Sequence, residues 1–244
     1  MEVELMGSMR LDKLLGELSL GSRKELKKLI EGGRISVNGE SILKSNLKVD
    51  PERDRICLDG KEISYLSHEY IMLNKPAGYV SARSDKEHRT VMELVSSRRK
   101  DLFPLGRLDL DTEGLLLISN DGRLAHDLLS PSKHVDKTYY VRVDKALGEE
   151  EVERMGEGIS LNGEYTTKPA KLEILSSSAR ESEARITITE GKFHQVKRMF
   201  QALGIKVLYL KRIGFGGLWL DEEELAPGES RSLSLEEIDI LRKR

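Results

Sequence analysis

The stretch GRLDLDTEGLLL, residues 106–117, carries the strongest indication of what this 244-residue chain folds into. Arg107, Asp109 and Asp111 lie in a glycine-bounded turn that runs directly into an apolar strand. Catalytic side chains are often held at such strand ends, because a rigid scaffold keeps them in place. We therefore predict that the chemistry of this protein lies at this turn.

Two other kinds of site fit the D-x-D pattern less well. A magnesium site needs further carboxylates or substrate phosphates, and the sequence has no second acidic cluster of that character. A glycosidase pair must flank a bond from opposite sides, whereas residues two apart on a strand share one face. We expect no metal ion and no cofactor, and we expect Asp111 and Thr112 to cap the turn through side chain to backbone hydrogen bonds.

Four segments, in this order along the chain, resemble the motifs of one enzyme family. They are residues 73–78 (LNKPAG), 106–117, 137–141 (KTYYV) and 190–200 (EGKFHQVKRMF). The chain is similar in these segments to the pseudouridine synthases of the RsuA and RluB/E/F group. The resemblance implies that Asp109 is the catalytic carboxylate, that Tyr139 packs against the target uracil and that Lys197 pairs with Asp109.

The chemistry of this reaction agrees with those residue types. Uridine and pseudouridine are isomers, so one carboxylate can suffice while the uracil is released, turned and rejoined through carbon. A buried carboxylate resists ionisation unless a cation offsets the lost hydration, and Lys197 and Arg107 would supply that charge. The base must also be flipped out of the RNA and held on an aromatic face. Alternation along a strand puts one of Tyr139 and Tyr140 in the pocket, and the motif position favours Tyr139.

The N-terminal segment, residues 9–40, predicts two short helices and a hairpin. Leucines at helical spacing indicate the first helix, and a capping box of Ser22 and Glu25 begins a second that should end at Gly32-Gly33. Asn38-Gly39 is a strong hairpin signal. The segment resembles the small alpha-L RNA-binding domain first recognised in a ribosomal small-subunit protein.

Cations on this segment predict a surface for RNA phosphates. They are Arg10, Arg23, Lys24, Lys27, Lys28 and Arg34. In the third motif of the resemblance, we expect His194 and Arg198 to contact RNA as well. The net charge of −2 does not by itself indicate a nucleic-acid binder, so the relevant charge is local.

The predicted organisation is an alpha-L RNA-binding domain over residues 9–63, a linker over 64–68 and a pseudouridine synthase domain over 69–244. The fold class is α+β, with a largely antiparallel mixed sheet flanked by helices. Strands are predicted at 70–73, 115–119, 138–143, 171–175 and 185–189, and helices near 91–97, 123–129, 149–155, 195–203 and 234–244.

Composition places further limits on the protein. Cys57, the single cysteine, lies in an alternating strand and is expected to be a packed core thiol, which is consistent with a reducing compartment. No apolar run approaches the roughly 18 residues of a membrane span. The first eight residues do not resemble a secretory signal, and Gly7-Ser8 resembles an expression-tag remnant, so we expect the native chain to begin at Met9.

We predict an enzyme that isomerises a uridine of ribosomal RNA, in the small subunit (16S). Residues 193–200 (FHQVKRMF) resemble the small-subunit type, whereas large-subunit relatives tend to have N-R-Q or N-R-E at the start of that segment. A large-subunit (23S) enzyme and a non-catalytic RNA-binding ribosome-assembly factor stay open as alternatives. The expected partner is ribosomal RNA or a ribosomal subunit assembly intermediate, and we expect a monomer in the cytoplasm that does not bind membranes.

Overall fold

The computed structural model describes residues 8–18, 20–51, 53–63, 68–161, 163 and 165–243. The chain forms two compact units. The first extends to Glu69 and includes Ser97–Leu102, and the second comprises Tyr70–Ser96 and the part of the chain from Phe103 onward. Residues 1–7 and residues 64–67 of the predicted linker lie outside the described residues, so the expected chain start and the linker stay predictions.

The first unit contains two helices and short strands. Within the described residues its elements are β1 (Met9–Arg10), α1 (Leu11–Glu17), α2 (Arg23–Glu31), β2 (Ile35–Val37), β3 (Glu40–Ser41), β4 (Lys48–Val49), β5 (Ile56–Leu58) and β6 (Lys61–Glu62). The strands pair in the order β3-β2-β5-β6, and β1 pairs with β4. Every one of these pairs is antiparallel.

Local sequence signals explain these elements. Ser22 Oγ accepts a hydrogen bond from the Glu25 amide, while the Glu25 carboxylate accepts one from the Ser22 amide, so the predicted capping box begins α2. Asn38 and Gly39 both have positive φ, 53° and 88°, as a two-residue turn between β2 and β3 requires. The predicted pair of helices followed by a hairpin is confirmed.

The core of the first unit lies between its helices and strands. The leucines that α1 presents at helical spacing are fully buried, and they pack with Leu26 and Ile30 of α2 and with Ile35 of β2. Cys57 is buried in β5, which agrees with a packed thiol. The charged side chains of both helices consequently face solvent.

The second unit is built on one large sheet. Its strands are β7 (Tyr70–Lys75), β8 (Phe103–Leu105), β9 (Glu113–Ser119), β10 (Lys137–Val143), β11 (Ser160–Leu161), β12 (Tyr165–Thr166), β13 (Lys171–Ser177), β14 (Ser182–Ile188), β15 (Val207–Phe215), β16 (Leu218–Trp219) and β17 (Ser230–Ser232). Its helices are α3 (Gly122–Leu129), α4 (Glu149–Glu157), α5 (Gln195–Ala202) and α6 (Leu235–Arg242), with 3-10 turns at Val91–Leu94 and Pro131–Lys133.

The sheet order is β13-β14-β10-β15-β9-β7-β17, with β16 beside β15 and β8 beside β9. Neighbours are antiparallel except for β15 and β9, which run parallel. The predicted α+β class with a largely antiparallel mixed sheet is therefore confirmed. One apolar core lies where α3 and α6 pack on β7, β9 and β16.

Two differences from the predicted elements have an evident local reason. The helix expected near residues 91–97 is a short 3-10 turn that ends at Leu94, because Val95 is already extended and the two residues after it are serines, which form helices less readily. The central strand β15 was not predicted, because Lys211 and Arg212 interrupt its apolar pattern. Both charged side chains are nevertheless buried. Within the described part of the chain, no helix is long and apolar enough to cross a membrane.

Candidate active site

The turn that carries Asp109 lies between β8 and β9, and glycines at both ends make its path possible. Gly106 has φ of +82°, and a Cβ there would lie 2.8 Å from the side chain of Leu129. Gly114 has φ of +101°, and a Cβ there would lie 2.2 Å from the Arg212 carbonyl oxygen on the parallel strand β15. Only glycine fits this close approach of two backbones.

Lys75, the last residue of β7, donates hydrogen bonds to the backbone of the turn that carries Asp109. Its side chain is fully buried, and its Nζ donates to the carbonyl oxygens of Thr112 at 2.7 Å and Asp109 at 3.1 Å. Further bonds go to the carbonyl oxygens of Pro76 at 3.1 Å and Leu110 at 3.4 Å. One ammonium group thus donates to several carbonyl groups of the turn, among which the Thr112 carbonyl is buried.

A second set of hydrogen bonds joins the segment after β7 to the backbone of the same turn. Ser81 Oγ accepts from the Leu108 amide at 3.0 Å and donates to the Leu108 carbonyl at 3.1 Å. The Gly78 amide donates to the Leu110 carbonyl at 2.7 Å. The segment that follows β7 therefore positions the residues on both sides of Asp109.

We expect Lys75→Met to lower the catalytic rate by about 10²-fold, because loss of these bonds lets the turn shift, and a shift of about 1 Å is enough for such a loss. The free energy of unfolding should fall by about 2 kcal/mol or more, because buried carbonyl groups lose their donor. Urea unfolding and single-turnover kinetics measure the two effects. Ser81→Ala, which removes a single hydroxyl, is the matched milder variant, and a larger rate loss from Ser81→Ala would contradict this ranking.

Lys75→Met should also change how the free energy of unfolding depends on pH. Burial lowers the pKa of Lys75 from 10.5 to about 8, so between pH 8 and pH 10 the unfolded chain keeps a proton that the folded protein has released. The free energy of unfolding should therefore rise with pH in this window. Burial also lowers the pKa of Lys137 to about 8, so in Lys75→Met the rise should become smaller without disappearing. An unchanged slope would show that Lys75 does not titrate there.

Asp109 lies in a small cluster of charged side chains at this turn. Its carboxylate is 26% exposed, and the Lys197 Nζ approaches its Oδ2 to 2.9 Å. His194 Nε2 lies 3.4 Å from its Oδ1. Lys197 projects from the first turn of α5, while the opposite side of that helix is buried through Val196 and Phe200.

Lys197 also binds a second carboxylate, that of Asp111, at 2.6 Å. Burial alone would lower the pKa of Lys197, but its bonds to Asp111 and Asp109 outweigh burial, and the pKa is raised. The hydrogen bond from Lys197 lowers the pKa of Asp111. The ammonium therefore stays charged between two carboxylates at neutral pH.

The expected capping role of Thr112 was wrong, whereas that of Asp111 stays a prediction. The Asp111 side chain, 74% exposed, bonds to Lys197. Thr112 Oγ1 is buried with no hydrogen-bond partner among the described residues, and the turn is closed instead by the Thr112 amide donating to the Asp109 carbonyl.

Tyr139 lies on β10 directly opposite Arg212 of β15, and its side chain is 8% exposed. The Nε of Arg212 donates to the Leu115 carbonyl at 2.7 Å. Burial lowers the pKa of Arg212, and the neighbouring Tyr139 partly offsets this. Tyr140, in contrast, is half-buried and makes an edge-to-face contact with Tyr209.

Comparison with known proteins explains this arrangement. The family model described as RNA pseudouridylate synthase matches residues 69–202, and the S4 domain model matches residues 9–62. The chain belongs to the RNA pseudouridylate synthase family.

Relatives of this pseudouridylate synthase span nearly its whole length. The uncharacterized RNA pseudouridine synthase YtzG of Bacillus subtilis (strain 168) is 44% identical over 96% of this chain and 98% of its own. Ribosomal small subunit pseudouridine synthase A of Escherichia coli (strain K12) is 40% identical over 94% and 98%. A crystal structure of a pseudouridylate synthase, 38% identical, superposes with a TM-score of 0.67 over 96% of this chain and all of the other.

The structure does not place all of the predicted site residues of this pseudouridylate synthase together. Asp109, Lys197 and His194 form the cluster, whereas Arg107 is exposed and makes no ion pair with Asp109 among the described residues. The positive charge beside Asp109 therefore comes from Lys197. Arg198 is directed elsewhere, with its guanidinium carbon 6.0 Å from the centre of the Tyr165 ring.

In the S4 domain the six predicted RNA-binding cations fall into two groups. Three are engaged within the domain, since Arg10 pairs with Asp12 at 2.7 Å, Lys27 with Glu31 at 3.6 Å, and Arg34 with Asp59. The other three are exposed on α2 and make no ion pair among the described residues. They are Arg23, Lys24 and Lys28.

Two site residues were missed from the sequence. Lys75 lies in the segment LNKPAG, which was used only as a family marker, although a lysine that ends an apolar strand is itself a signal of a buried, bonded cation. Arg212 lies in the central strand that the apolar pattern did not indicate. No local signal links either residue to the Asp109 turn.

Proposed function

We propose that this pseudouridine synthase isomerises a specific uridine of small-subunit (16S) ribosomal RNA, with Asp109 as the catalytic carboxylate acting on a flipped-out uridine. The observation that carries the proposal is the pairing of a partly buried Asp109 with the Lys197 ammonium at 2.9 Å. The pair places a carboxylate and a balancing ammonium side by side at a partly buried position. Such a carboxylate can attack or stabilise the nucleotide as its bond breaks.

Each proposed residue has one part in this reaction. The bond from uracil N1 to the ribose breaks, the base turns, and a bond from uracil C5 forms, while C5 loses a proton and N1 gains one. Asp109 acts on the nucleotide, Lys197 balances the negative charge of the Asp109 carboxylate, and the ring of Tyr139 packs against the uracil. Arg107, being exposed, contacts RNA phosphate rather than Asp109.

Two observations support the small subunit as the source of the RNA. The Escherichia coli relative, at 40% identity, carries the name ribosomal small subunit pseudouridine synthase A. Residues 193–200 also resemble the small-subunit type. We propose ribosomal RNA or a subunit assembly intermediate as the partner, bound by a monomer in the cytoplasm.

Pseudouridine mapping tests this proposal. The protein is incubated with 16S RNA, with 23S RNA and with small-subunit assembly intermediates, and pseudouridine is located by chemical modification and primer extension. We expect one modified position in the small-subunit RNA. Modification of the 23S RNA alone would transfer the assignment to the large subunit, and binding without modification of any substrate would favour the assembly factor.

The S4 domain has a prediction of its own. Replacing Arg23, Lys24 and Lys28 with alanine should weaken RNA binding and lower the slope of log affinity against log salt by about 0.7 to 0.9 per lost phosphate contact. A matched variant replaces Arg10, Lys27 and Arg34, which already have acidic partners, and should lower the slope less. Equal slopes in all three proteins would show that α2 presents only a solvated face.

A further inference from the structure

Phe193 is a large apolar side chain placed in solvent beside the Asp109 cluster. It is 71% exposed, and its ring stacks on the imidazole of His194 with centres 3.8 Å apart and planes 19° apart. That imidazole in turn lies 3.4 Å from the Asp109 carboxylate. The two rings therefore form a short platform that begins at the catalytic carboxylate and ends in solvent.

The exposure of Phe193 is built into the turn that precedes α5. The buried side chain of Gln195 accepts from the Lys192 amide at 2.9 Å and donates to buried Glu190 at 2.7 Å. His194 adopts the left-handed conformation, with φ of 49°. These contacts close a tight turn and direct Phe193 outward, so its position does not depend on a neighbouring apolar core.

Cations adjoin the platform. Lys192 precedes Phe193 in the chain, and its Nζ lies 3.3 Å from the centre of the Tyr165 ring. Arg198, one helical turn after His194, reaches towards the same ring from 6.0 Å. An exposed aromatic face with Lys and Arg beside it is what proteins use to stack the bases of single-stranded RNA while holding its phosphates.

We propose that Phe193 stacks on the base of a nucleotide that flanks the target uridine. This inference rests on the proposed function, because a flipped-out uridine at Asp109 brings its neighbours to within one nucleotide of the platform. Flipping also removes the stacking partner of those neighbours, and the Phe193 ring replaces that partner. The residue acts in RNA binding and positioning rather than in the chemical step.

The first test compares side chains of similar size with and without a ring. Phe193→Leu should weaken binding of a 16S RNA fragment by about 5- to 100-fold, the usual range for loss of one stacked base. Phe193→Tyr keeps the ring and should restore affinity to within about threefold. The single-turnover rate at saturating RNA should change less than the affinity does. Wild-type affinity in Phe193→Leu would overturn the inference.

A second test detects stacking without turnover. Trp219 is the only tryptophan, so Phe193→Trp combined with Trp219→Phe puts a single indole on the platform. Its emission should be quenched when 16S RNA binds, whereas the indole of Leu235→Trp in the same background, at a site 83% exposed, should respond little. Equal responses, or an emission change driven by protein concentration alone, would show that RNA does not stack there.

Failure of this inference and failure of the proposed function give different results. If the unmodified protein forms no pseudouridine while the indole is still quenched, the proposed function fails and the stacking surface stands. If pseudouridine forms and Phe193→Leu binds RNA as tightly as the unmodified protein, only the inference about Phe193 fails.

Discussion

Asp109→Asn should abolish pseudouridine formation, with a loss of at least about 10³-fold in the single-turnover rate. The substitution keeps the size and shape of the side chain but removes its charge and its nucleophilic oxygen. RNA binding should persist or tighten, because a negative charge near the phosphates is removed. Rates are measured with enzyme in excess over 16S RNA, and binding is measured on the same RNA by filter retention.

Asp111→Asn is the matched control for that experiment. It is the same substitution two residues along the turn, on a carboxylate that also bonds to Lys197 but is 74% exposed. An exposed ion pair contributes about 0 to 1 kcal/mol, so the rate should change by no more than about fivefold. Equal and large losses in both variants would point to the pair of carboxylates, rather than Asp109 alone, as the catalytic group.

Lys197→Met should lower the single-turnover rate by about 10- to 100-fold and change the pH profile. The methionine keeps much of the apolar stem and removes the ammonium that contacts both carboxylates. The pH profile should change because the ammonium that contacts both carboxylates is lost, together with the hydrogen bond by which Lys197 lowers the pKa of Asp111. Single-turnover rates between about pH 5 and about pH 9 measure both effects.

Arg198→Met separates this effect from general loss of positive charge. Arg198 is the next residue along α5, and helical geometry directs it about 100° away from Lys197. Its guanidinium lies near Tyr165 rather than Asp109, so its loss should weaken RNA binding and leave the pH profile in place. A shifted profile in Arg198→Met, with an unshifted one in Lys197→Met, would reverse the two assignments.

The extent to which the site could be foreseen differs from residue to residue. Lys197 was expected beside Asp109 from the motif, and the structure places it there at 2.9 Å. Arg107 was expected to share that task because it lies two residues from Asp109 in sequence, but its side chain is exposed. Residues two apart in a turn need not point the same way. A separation of two residues in sequence therefore predicted contact with Asp109 less well than the family motif did.

Some elements of the fold were likewise predicted from the sequence, and others were missed. The capping box at Ser22 and the Asn38-Gly39 turn were predicted correctly, because each depends on contacts between residues no more than three apart. Strand β15 was missed because its central Lys211 and Arg212 are polar residues at buried positions. Arg212 donates to the Leu115 carbonyl of β9 and Lys211 pairs with Glu222, and a local pattern does not contain these partners.

Short-range patterns in the chain were sufficient to indicate the α+β class, the N-terminal helix pair and the turn that carries Asp109. The completed site required tertiary structure, since Lys75 reaches a turn 34 residues further along and Lys197 reaches Asp111 across 86 residues. Arg212 of β15 likewise bonds to the Leu115 carbonyl of a different strand. Capping and turn formation are driven by neighbouring residues, whereas the charges and bonds around Asp109 depend on where the sheet brings distant segments together.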